Sequence, residues 1–141
     1  MANPISVRFK RPENADRLRA EAAARGVSAS SLAEELIDEG LRTRRHPLVV
    51  FRDGPTGRRA GLAGGPDVWE VVGGIVGGDV LAGERVGRAL DVFGLRPDQV
   101  QAALGYYAEF ADEIDAEIAA NVAAADVAEA LWKRAQGLLA G

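Results

Sequence analysis

Apolar and polar side chains alternate along Ile5-Ser6-Val7-Arg8-Phe9-Lys10. In an extended chain this puts Ile5, Val7 and Phe9 on one face and a hydroxyl with two cations on the other. The period then turns helical. Pro12 suits a first helical turn, because it lacks an amide that this turn leaves unpaired and its φ is already helical. Ala15, Leu18 and Ala22 follow at spacings of three and four, and Gly26 predicts a left-handed cap. Ser28 predicts the N-cap of a second helix, with Leu32, Leu36, Ile37 and Leu41 on one face and Glu34, Glu35, Asp38 and Glu39 elsewhere. The pattern fades at Thr43-Arg44-Arg45-His46-Pro47, read as a basic last turn and a linker.

Further on, two β-friendly runs flank Asp53-Gly54-Pro55-Thr56-Gly57, which predicts a hairpin with a loop longer than two residues. Arg52, Arg58 and Arg59 would decorate it, either as a wing that touches phosphates or a partner, or as a solvated loop. Pro66 or Asp67 opens a short helix with Val68, Trp69, Val72 and Ile75 inward and Trp69 as a core anchor, its end weakened by Gly73, Gly74, Gly77 and Gly78. Two amphipathic helices follow, Glu84 to Phe93 (Val86, Leu90, Phe93 inward) and Pro97 to Phe110 (Val100, Leu104, Tyr107 inward). They join across Gly94-Leu95-Arg96 in the outline of a helix-turn-helix. The second of them would show Asp98, Gln99, Gln101, Tyr106 and Glu109 outward and carries no Arg or Lys, so packing is the stronger reading there and DNA contact the weaker. From Asp112 a long alanine-rich helix is expected through Ile114, Ile118, Val122, Leu131 and Leu138. Asp112, Glu113, Asp115 and Glu117 favour its positive end and, without histidines or a loop, predict no metal site. The expected fold is mainly α with short β, in three parts: residues 1–46, 47–111 and 112–141.

Composition narrows the chemistry. The chain has 141 residues and no cysteine, which removes disulfides, thiolate metal sites and cysteine nucleophiles. No apolar run approaches eighteen residues and the N-terminus lacks a signal pattern, so a cytoplasmic protein without a membrane partner is expected. The net charge of −4 divides unevenly: residues 1–60 sum to +4 and residues 61–141 to −8. A basic first half and an acidic second half suit a nucleic-acid-binding part joined to an interaction arm. No G-x-G-x-x-G occurs, and no lysine lies between Lys10 and Lys133 to serve a P-loop, so no nucleotide cofactor is expected. His46, the single histidine, lies in the basic linker and reads as a surface residue. No serine, lysine or carboxylate pair has an activating neighbour, so an enzyme is not expected.

A unit of about forty-five residues without metals or disulfides lies near the lower limit for folding alone. Two copies could cover each other's Ile5, Val7 and Phe9 by pairing their strands antiparallel over four helices. The segment I-S-V-R-F-K, the proline-led helix and R-G-V-S-A-S-S-L-A-E-E-L-I resemble the ribbon-helix-helix superfamily of Arc- and MetJ-like repressors, over the first third of the chain. The resemblance implies an intertwined homodimer whose two-stranded ribbon enters the DNA major groove. Ser6, Arg8 and Lys10 match the reading positions. Arg8 can donate twice to guanine, Lys10 can reach guanine or phosphate, and Ser6 can bond several base edges. Ser28, Ala29 and Ser30 at the start of the second helix, with Arg11, would hold backbone phosphate.

The stretch L-R-P-D-Q-V-Q-A-A-L-G-Y-Y-A-E-F-A-D-E-I-D resembles the C-terminal part of a small winged helix-turn-helix domain of uncharacterised function found in bacterial antitoxins. Pro97, Val100, Ala103, Leu104, Tyr106, Tyr107 and Asp112 to Asp115 match, and the likeness covers roughly residues 48 to 121. It implies pairing with a PIN-like ribonuclease toxin encoded next door. Tyr106 and Tyr107 belong to the matching stretch, Trp132 and Arg134 are the best anchors in the last helix, and Arg134 could neutralise an acidic nuclease site. The function expected is an antitoxin that represses its own operon. The alternative is a free-standing regulator whose C-terminal half only oligomerises.

Overall fold

A computed structural model of the chain describes residues 3–141. The protein is mainly helical with one two-stranded antiparallel hairpin. It divides into two compact units, one ending at Arg42 and the other spanning Thr43–Gly141.

The first unit is built on α1 (Pro12–Arg25) and α2 (Ala29–Arg45), whose last residues group with the second unit. Pro12 begins α1, and Gly26 ends it at φ 68°, returning its amide to the carbonyls of Ala22 and Ala23. The Ser28 hydroxyl accepts the Ser31 amide at 3.0 Å and so caps α2. Two apolar residues of this unit, Ala22 and Leu32, are buried. The expected strand does not form within one chain: Ile5–Lys10 takes no regular structure, because among the described residues no segment pairs with it and a strand needs a partner to complete its ladder. Its apolar face stays in solvent, with Ile5 87%, Val7 63% and Phe9 43% exposed.

The second unit has a core of its own. β1 (Val49–Gly54) pairs with β2 (Gly57–Leu62) in a register that sets Val49 opposite Leu62 and Gly54 opposite Gly57. Pro55 and Thr56 alone make the turn, so the loop is shorter than its sequence suggests. α3 (Val68–Ile75) sits at the centre, packed on β2, α4 (Arg85–Phe93), α5 (Pro97–Glu109) and α6 (Ala111–Ala140). Val68, Val71, Val72 and Ile75 are buried on α3, against Val49, Leu62, Ala89, Val100, Ala103 and Ile114. Gly74 of α3 is a spacer: a β-carbon there would press into the Phe93 ring, so this residue lets α4 approach. A short 3₁₀ turn, Ala82–Glu84, leads into α4, and Gly94 closes that helix at φ 62°.

The buried face of α5 is rotated from the expected one. Gln99, Val100, Ala103 and Tyr106 point inward, while Leu104 and Tyr107 are only partly buried. Gln99 can be buried because its side-chain carbonyl accepts the Arg96 amide at 2.9 Å, satisfying a group that the helix start leaves open. Tyr106 fills the core with its ring and satisfies its hydroxyl on Glu113 at 3.2 Å.

The hairpin is locked to α3 by one carboxylate. Asp67, just ahead of α3, accepts Arg52 Nε at 2.9 Å on one oxygen; on the other it accepts an Arg59 terminal nitrogen at 3.1 Å and Trp69 Nε1 at 3.3 Å. Arg52 also donates to the Gly65 carbonyl at 2.8 Å, and Arg59 to the Thr56 hydroxyl at 3.0 Å. Two of the three hairpin arginines are therefore turned onto their own chain, while Arg58 lies 3.4 Å from Asp53 on the surface. Trp69 is half-buried: its ring packs against the core from the edge while its Nε1 joins this cluster. Gly61 makes the arrangement possible, since a β-carbon there would overlap the Arg52 guanidinium.

Removing the shared carboxylate strands a buried Arg59. Asp67→Ala is expected to destabilise the second unit by about 3 kcal/mol, read as a lowered urea midpoint at unchanged slope. A loss under about 1 kcal/mol would mean that the arginines find other partners.

Candidate functional site

Two surfaces bear on function, one in each unit. In the first unit, Ser6, Arg8, Lys10 and Arg11 are all exposed. Of the helical cations nearby, Arg19 pairs with Asp16 at 3.4 Å, Arg25 with Glu21 at 2.9 Å and Arg42 with Asp38 at 3.1 Å. None of Arg8, Lys10 or Arg11 has an ion pair among the described residues. Three exposed cations of this unit thus stand close together in sequence at its tip.

At the start of α2 the Ser28 hydroxyl occupies the Ser31 amide, and Leu32 donates to the Ser28 carbonyl at 3.1 Å. The amides of Ala29 and Ser30 are first-turn donors with no acceptor within the helix. Both serines are exposed, and Ala29 is partly so. The sequence-predicted phosphate positions therefore share one helix terminus, with the geometry that favours an anion.

On the apolar side, Val7 and Phe9 run between two open grooves. One, of about 570 Å³, is lined by Leu18, Leu32, Leu36 and Ile37. The other, of about 910 Å³, adds Ile5, Ala15 and Leu41. Leu36, Ile37 and Leu41 are all more than half exposed. The leucine face of α2 and the apolar face of residues 5–9 thus form one continuous uncovered surface.

In the second unit the four expected partner residues do not come together. Tyr106 is fully buried and offers no surface, which removes it from any interface. Tyr107 is partly buried and donates its hydroxyl to Asp115 at 2.9 Å; that bond, first among the causes, raises its pKa above the ordinary value. The acidic start of α6 thus serves as tyrosine acceptors as well as dipole partners. Trp132 is 62% exposed, seventeen residues past Asp115, or about 25 Å along the helix, and Arg134 is exposed two residues further on. From Ala123 onward every side chain of α6 is exposed, with Val127, Leu131, Trp132, Leu138 and Leu139 the large apolar ones. Lys133 pairs with Glu129 at 2.7 Å.

His46 is not the surface residue its sequence context suggested. Its side chain is 13% exposed, set edge-on to Tyr106 with ring centres 5.3 Å apart and close to Phe110 at 6.1 Å. Its Nε2 lies 2.9 Å from Glu109 Oε2, which also takes Arg45 at 3.1 Å. The bond from His46, then the neighbouring charge of Arg45, outweigh desolvation and hold the Glu109 carboxyl below its ordinary value. Nothing in the sequence signals this, because Glu109 lies sixty-three residues from its partner. No group of His, Cys, Asp and Glu able to hold a metal ion occurs among the described residues, and no helix there is long and apolar enough to cross a membrane. Family models, curated proteins and solved structures give no match to this chain.

Two outcomes follow from this geometry. A carboxylate with a depressed folded-state pKa stabilises above its unfolded value and loses that contribution as pH falls through the folded one. Thermal stability of the second unit should therefore drop as pH falls from about 5, and Glu109→Gln should flatten that limb in melts between pH 3 and 7. An identical acid limb in the variant would remove Glu109 as its source. Separately, Leu131→Ala with Trp132→Ala should leave the unfolding free energy in urea within about 0.5 kcal/mol of the parent, since neither side chain packs on the core. A loss above about 2 kcal/mol would place those residues in a packed interface.

Proposed function

We propose that the protein is the antitoxin of a type II toxin–antitoxin pair: a homodimeric, ribbon-type repressor that binds its own operator and silences a PIN-like ribonuclease. The observation that carries this reading is the uncovered surface of the first unit. Ile5, Val7 and Phe9 stand in solvent beside Leu36, Ile37 and Leu41, and full burial of each is worth roughly 1.5–3 kcal/mol. A second copy, its residues 5–10 paired antiparallel with the first, covers both faces and satisfies the strand backbone at once. Pairing sets Ser6, Arg8 and Lys10 of both copies on the outer side, where Arg8 and Lys10 have no ion pair to give up. Arg8 then reads guanine, Lys10 reads guanine or phosphate, and the amides of Ala29 and Ser30 beside Ser28, with Arg11, grip the backbone.

Support for the toxin arm comes from the far end of the chain. The last turns of α6 lie outside the core and carry Leu131, Trp132 and Leu138, a helix suited to an apolar groove, with Arg134 beside them for an acidic site. Tyr107 is the remaining candidate from the antitoxin-like stretch. The hairpin and helices of the second unit act as the scaffold that presents this helix. A DNA-touching wing is the weaker reading of the hairpin, because Arg52 and Arg59 are held by Asp67.

The DNA reading is tested by gel-shift titration on the chain's own promoter region. Arg8→Ala should weaken binding by about 1–3 kcal/mol, roughly five- to 150-fold, with the fold intact by circular dichroism. Binding that matches the parent on this DNA would take Arg8 out of the readout. Co-purification with a nuclease encoded beside the gene, lost in Trp132→Ala with Arg134→Ala, tests the toxin arm. Undiminished capture by that variant would move the toxin contact elsewhere.

A further inference from the structure

We draw no further inference here: the strongest candidate, the apolar face of the last turns of α6 around Val127, Leu131 and Leu138, carries nothing beyond the toxin arm already proposed, because nothing in the structure shows what else covers it.

Discussion

A protein of this size must place its large apolar side chains somewhere, and the two units meet that constraint differently. The second unit buries Val68, Val71, Val72 and Ile75 of α3 inside a closed shell of helices and hairpin. The first unit has no such shell. Two helices and an irregular N-terminal segment leave Ile5, Val7, Phe9, Leu36, Ile37 and Leu41 in water, while Ala22 and Leu32 are its buried apolar residues. A monomer with that distribution forgoes most of the hydrophobic stabilisation its sequence could supply. The proposed homodimer follows from this shortage, and the outward cationic face follows from the homodimer.

The division of charge gains meaning in the same light. Much of the basic excess in residues 1–60 sits in the linker and hairpin, where Arg45 is bound to Glu109 and Arg52 and Arg59 to Asp67. Those cations serve the fold. The short run Arg8, Lys10 and Arg11 has no ion pair among the described residues; it is small but local, and local field governs docking more than total charge. Two copies would double it along a single ribbon.

Features that depend on near neighbours were legible in the sequence. Pro12, Gly26, Ser28, Gly94 and Pro97 mark helix ends in the structure as their backbone chemistry requires. Features that depend on distant partners were not. Asp67 reads as an ordinary residue ahead of a helix, and only the hairpin pairing brings Arg52 and Arg59 to it. The periodicity puts Tyr106 outward, yet Glu113 satisfies its hydroxyl and frees the ring to fill the core. His46 was read from its basic neighbours, whereas aromatic packing on Tyr106 and Phe110 fixes it. The strand expected at residues 5–10 belongs to a third kind. Its alternation is plain, but a ladder needs a second strand, and among the described residues none pairs with this segment.

Solution mass of the full chain, measured by light scattering from low micromolar concentration upward, bears on this most directly. If a second copy covers the first unit, the mass is twice 14.8 kDa, and Val7→Asp or Ile37→Asp returns it to one copy while the second unit stays folded. A parent chain that remains at a single copy across that range, with α1 and α2 fully helical, would contradict the homodimer and the DNA-binding ribbon that depends on it.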